Sequence, residues 1–162
     1  MTKIWNEDGF VADDPWVIET EETKAGSNEK AILGIEAFLA RVAERDESGL
    51  GVLISPADDV RRLEGHLDRI ALIAVAFPAF SDGRASLLRS RLNFTGEVRA
   101  VGDVLIDQVP LMLRCGIDSF AVSNATALKR LAENRLPGIA NHYQPAARAS
   151  QDVGSYSWRR RA

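Results

Sequence analysis

From residue 50 onward the chain alternates short apolar runs with segments whose apolar residues recur every three or four positions. Residues 51–54, 72–77, 97–101 and 119–122 read as strands. Their starts near 51, 72, 97 and 119 are about 21 to 25 residues apart, which suits crossovers between parallel strands. Residues 72–77 are apolar throughout, as expected of a strand covered on both faces. Between these strands, 58–67 reads as a helix with Val60, Leu63 and Leu67 on its buried side, although Gly65 weakens it. A second helix starts at Ser81 or Asp82 and carries Leu87, Leu88 and Leu92. A third runs from Asp103 to Cys115 and ends at Gly116, with Pro110 as a bend or break. A fourth starts at Ser123 or Asn124 and stops at Pro137-Gly138.

Upstream, Ile35, Phe38, Leu39 and Val42 fall on one helix face, so an N-terminal helix capped by Ser27 or Asn28 is expected, ending before Gly49. Residues 1–26 are polar with isolated anchors such as Trp5, Phe10 and Trp16, and read as an arm with one or two short extended pieces. Residues 141–162 show no sustained period and read as an extended tail. The expected fold is a single α/β domain over 27–140. Its small parallel sheet of about four strands is either open and doubly wound or half-barrel-like. A half barrel would leave a sheet edge and an inner face for a partner or the terminal arms to cover.

A chain of 162 residues with 46% hydrophobic and 27% charged positions can bury a core without metals or disulfides. Its single cysteine, Cys115, excludes an intramolecular disulfide and suits a reducing compartment. The first residues carry acids and no apolar run, and residues 70–80 are too short to cross a bilayer, so a cytoplasmic protein without membrane contact is expected. A net charge of −3 gives no reason to expect nucleic acid. The charge is unevenly spread, with eight acids against three lysines in residues 1–30 and the run Arg159, Arg160, Arg161 after Trp158 near the end. That basic tail is a docking candidate, on a partner or on a neighbouring subunit of a homo-oligomer.

Ligands of parallel α/β sheets collect at the carboxyl ends of the strands, beside helix N-termini. Four stretches qualify: Ser55-Pro56 with Asp58 and Asp59, residues 77–84, Gly102-Asp103 with Asp107 and Gln108, and Ser123-Asn124. In Asp82-Gly83-Arg84 the glycine permits a sharp turn and the arginine offers a planar fork suited to oxyanions. The same residues also describe an Asp82 cap followed by an arginine paired with Asp103 or another carboxylate, the more routine arrangement. Asp103 and Asp107 would share a face of one helix, where they serve either as paired carboxylates or as charges at the positive end of the helix dipole. Arg99 joins them if its strand directs it to the same side. His66, His142 and Cys115 have no ligand-like spacing, so no metal is expected. No glycine-rich dinucleotide or phosphate loop is present, so no cofactor is expected either.

Several of these stretches, in this order, resemble one bacterial family. They are Gly51-Val52-Leu53-Ile54-Ser55-Pro56-Ala57-Asp58-Asp59, Ala76-Phe77-Pro78-Ala79-Phe80-Ser81-Asp82-Gly83-Arg84, Gly96-Glu97-Val98-Arg99-Ala100-Val101-Gly102-Asp103 and Arg114-Cys115-Gly116-Ile117-Asp118-Ser119-Phe120. The family is uncharacterised, is labelled as oxidoreductase, and is encoded beside the sulfite reductase hemoprotein and the adenylylsulfate reductases. The resemblance spans roughly residues 50–122, with a looser echo at Tyr143-Gln144-Pro145-Ala146. This chain departs from the pattern at Ala76 and by a shortening of about four residues, close to one helical turn, after Arg84. The resemblance implies sulfur assimilation, with the sulfite reductase hemoprotein as partner. It leaves two functions open, an accessory or docking protein and an enzyme acting on a small sulfur oxyanion or adenylylsulfate. A homo-oligomeric structural module is a third.

Overall fold

The computed structural model describes residues 1–77 and 84–137, and all four expected strands form. They are β5 (Leu50–Ile54), β6 (Ile70–Phe77), β7 (Glu97–Gly102) and β8 (Ser119–Val122), joined side by side in parallel. The sheet is twice the expected size. β4 (Lys30–Gly34) and β3 (Trp16–Ile18) extend it in parallel beyond β5. On the other side β1 (Lys3–Asn6) pairs antiparallel with β8, and β2 (Gly9–Phe10) closes a hairpin onto β1. The order is β2-β1-β8-β7-β6-β5-β4-β3, in a curled half barrel. The N-terminal arm therefore contributes three strands and occupies both edges.

Helix α1 (Ile35–Glu44) carries the expected buried face of Ile35, Phe38 and Val42, but it starts at Gly34 and not at Ser27 or Asn28. Residues 31–33 are an apolar run buried on both sides, a strand signature that the following helical period masks. The expected helix over 58–67 is replaced by two 3₁₀ turns, Val60–Leu63 and Leu67–Arg69, separated by Gly65 at φ +87°. Helix α2 spans Arg84–Ser90. Helix α3 covers only Val109–Arg114, with Pro110 in its first turn, where a missing N–H costs nothing. Helix α4 (Ala125–Ala132) is capped by Asn124, whose Oδ1 accepts from Ala127 N at 3.0 Å, as expected.

Residues of all four helices pack into one cluster with Leu33, Val52, Ile54, Ile73, Val75, Val98, Ala100, Phe120 and Val122. The alternate strand positions, Ile32, Leu72, Ala74 and Val101 with Trp16, Ile18, Leu53, Ala76 and Ala121, form a second cluster to which no helix contributes. Among the described residues the helices pack on one face only, so this sheet is not doubly wound. Along β6 the two clusters alternate, which is why the strand lacks a polar face.

The curl follows from chain length. Residues 11–15 connect β2 and β3, the two outermost strands. Eight flat strands would place these edges roughly 34 Å apart, whereas the connection reaches roughly 22 Å when fully extended. A half circle with that arc has a chord of roughly 21 Å, so a nearly extended strap fits the mouth of a half barrel and no flatter sheet. Gly51 helps on the concave face: a Cβ there would lie 2.7 Å from Ile32 Cγ1 and 3.0 Å from Trp16 Cζ3. Its absence lets the Trp16 ring lie across β4.

Candidate functional site

On β7, Glu97, Arg99 and Val101 project to the concave side because strand side chains alternate. Arg99 is 4% exposed, the one charged residue among the described residues that is fully buried. The strap brings Asp14 to it, and the carboxylate accepts two hydrogen bonds, from Nη1 at 2.7 Å and Nη2 at 2.8 Å. Nη2 also donates to Glu97 Oε1 at 2.8 Å, and Nε is shared between Glu97 Oε1 and Ser119 Oγ at 3.1 Å each. Ser119 Oγ donates in turn to Glu97 Oε1. Burial opposes the charge on Arg99, but the hydrogen bond to Asp14 and the charge of Glu97 outweigh it, so the guanidinium pKa is raised. Arg99 is thus a locked cation.

This network walls a recess of about 380 Å³ at the amino ends of β7 and β8, where the strap crosses. Trp16, Asn6, Val11, Pro15 and Asp118 complete its lining. Asp118 belongs also to a neighbouring cluster, where it accepts from Val98 N at 2.9 Å and from Arg89 of α2. Arg89 further donates to the carbonyls of Gly116, at 3.0 Å, and of Phe94 and Gly96, both at 2.7 Å. It ties α2 to the entries of β7 and β8. Gly116, at φ +95°, leaves room for it: a Cβ would meet Arg89 Cγ at 2.6 Å.

The sequence-derived candidates do not converge on this recess. Asp82 and Gly83 lie outside the described residues, as does the tail of Trp158, Arg159, Arg160 and Arg161, and Arg84 is described only as the first residue of α2. Asp103 and Asp107 are exposed in the β7–α3 connection, and Gln108 immediately precedes α3 without a side-chain cap bond. The two aspartates therefore do not share a helix face. Gly102, at φ +95°, turns the chain there, and Val104 N bonds its carbonyl. Arg99 faces away, bonded to Asp14, Glu97 and Ser119 and not to Asp103 or Asp107.

The profile of a family described as "Bacterial protein of unknown function (DUF934)" matches residues 51–153. The chain belongs to this family. The matched stretch contains β5 from its second residue, all of β6 to β8, all of the Arg89–Asp118 cluster, and Glu97, Arg99 and Ser119. Asp14, Trp16 and the strap precede it. No curated protein and no solved structure matches the chain. Among the described residues no helix is long and apolar enough to cross a membrane, and no three potential metal ligands cluster.

Asp14, Trp16, Asp118, Ser119 and Arg89 were not legible as site residues. The one local signal was Glu97-Val98-Arg99, opposite charges two apart on a strand and hence on one face. Nothing in sequence indicates that Asp14, 85 positions away, completes the pair.

Proposed function

We propose that this protein is an accessory docking component of assimilatory sulfite reduction, acting in the cytoplasm with the sulfite reductase hemoprotein. The pathway rests on the resemblance of residues 50–122 to the family encoded beside those genes. The choice of docking over catalysis on a sulfur oxyanion rests on Arg99. A guanidinium that binds substrate needs open donors and a neutral or positive setting. Arg99 instead spends its hydrogen bonds on Asp14, Glu97 and Ser119, and three carboxylates share its recess. An incoming sulfite or sulfate would meet net negative charge there. Recognition then falls to the exposed Asp103 and Asp107 of the β7–α3 connection, and to the sequence candidates Asp82–Arg84 and Arg159–Arg161.

The test is affinity purification of the tagged protein at native expression level, followed by mass spectrometry. Stoichiometric sulfite reductase hemoprotein is the expected result. Recovery of the chain alone, as a homo-oligomer, together with saturable sulfite or adenylylsulfate binding that Arg84→Ala abolishes, would replace docking with the oxyanion enzyme.

A further inference from the structure

The two edges of the sheet are not alike. At one, β2 is two residues long and α4 lies against it. At the other, β3 ends the sheet as Trp16-Val17-Ile18, with no further strand beside it among the described residues. Its pairing with β4 decides which backbone groups stay open. Lys30 N donates to the Pro15 carbonyl at 2.7 Å and Glu19 N to the Ile32 carbonyl at 2.9 Å, so residues 15, 17 and 19 turn their backbone inward. Successive residues of a strand aim their N–H and C=O to opposite sides. Those of Trp16 and Ile18 therefore point outward, and no backbone group meets them among the described residues.

Sheets commonly blunt such an edge with lysine, proline or a covering segment. Here Pro15 belongs to the inward-facing set and obstructs nothing outside, and all three positions of β3 are apolar. Trp16 and Ile18 form the half-buried rim of the concave apolar cluster, beside Ile32 and Leu53. A further strand would gain backbone hydrogen bonds there and cover this rim with every second side chain. Charge chooses the occupant. Residues 13–30 hold six acids against two lysines, a net of −4. Asp14 is committed to Arg99, and Glu19 to Lys24 and to Ala25 N, which leaves Asp13, Glu21 and Glu22 exposed on either side of β3. A second copy pairing about Val17 would bring its Glu21 and Glu22 toward Asp13, and like charges brought opposite one another destabilise a strand pair. A strand flanked by arginine or lysine is drawn in by the same acids.

We infer that the outer edge of β3 is a docking site for an extended segment of another protein, apolar at alternate positions and basic at its ends, which joins the sheet as one more strand. Two open residues make a short contact, so the flanking charges set its specificity and rate of encounter more than its strength. The site stands whether or not that protein is the sulfite reductase hemoprotein.

The experiment uses the full chain and a synthetic peptide that alternates valine with threonine between paired arginines, followed by NMR. Saturation with the peptide slows hydrogen exchange at the Trp16 and Ile18 amides and leaves Val17, whose N–H faces β4, unchanged. Methylating every second peptide nitrogen weakens binding by about tenfold or more in one of the two possible patterns and far less in the other, since one set of amides faces the edge. Charge reversal at the exposed positions (Asp13→Lys, Glu21→Lys, Glu22→Lys) leaves the fold intact and abolishes binding. Absence of protection at Trp16 and Ile18 overturns the proposal. So does equal binding of the two methylated peptides, or a charge-reversed chain that binds as well as the parent. Protection of these amides without peptide overturns it too: the edge then belongs to the chain's own tail if protection is independent of concentration, and to a second copy if it rises with concentration.

Discussion

Asp14 and Arg99 form a two-hydrogen-bond ion pair, at 2.7 and 2.8 Å, between a strap that precedes the edge strand β3 and a strand four places away in the sheet. The pair is the polar closure of a half barrel whose curvature the length of that strap already demands. Its two ends bear unequal burdens. Arg99 holds Asp14, Glu97 and Ser119 together, whereas Arg99 without Asp14 keeps Glu97 and Ser119.

Arg99→Ala is accordingly expected to destabilise by about 3–5 kcal/mol, because it leaves carboxylates facing each other in a largely buried setting. Asp14→Ala should cost less, about 1.5–3 kcal/mol, the range for hydrogen bonds to a charged group. Urea denaturation of both variants checks the order. Equal losses would mean that Glu97 and Ser119 do not support Arg99 independently.

Gly116 and Arg89 should behave as a coupled pair. Gly116→Ala imposes a Cβ on a backbone at φ +95° and drives it to 2.6 Å from Arg89 Cγ, so a loss of more than about 1 kcal/mol is expected. In an Arg89→Ala background the clash disappears and only the backbone strain remains. A double-mutant cycle by chemical denaturation should then give a coupling of about 0.5–3 kcal/mol. Zero coupling would show that backbone strain alone makes glycine necessary.

The exposed pair of Glu36 on α1 and Arg62 on the first 3₁₀ turn gives a pH-dependent signature. The hydrogen bond from Arg62, and secondarily its charge, hold the Glu36 carboxyl below its usual value of 4.5. A group whose folded pKa is depressed contributes stability that is complete above the unfolded pKa. That contribution is lost as pH falls through the lower folded value. NMR titration of Glu36 should give a midpoint below 4.5, returning toward 4.5 in Arg62→Ala. An unchanged midpoint in the variant would remove Arg62 as the cause.

The sequence by itself determined the four central strands, a helix cap at Ser123 or Asn124, the buried face of α1 and a chain whose alternating elements demand a parallel sheet. Those properties are local, set by apolar period, cap chemistry and turn residues within a few positions. The tertiary structure alone decided that residues 31–33 are a strand, that the arm supplies both sheet edges, and that Asp14 meets Arg99. An apolar run of three reads the same as helix or strand until its neighbours in space are known. The partner of a buried charge is chosen by how the sheet curls and not by any spacing along the chain. Here a connection of five residues between the outermost strands sets that curl. It also moves the recess to the amino ends of the strands, opposite to where parallel sheets usually gather their ligands.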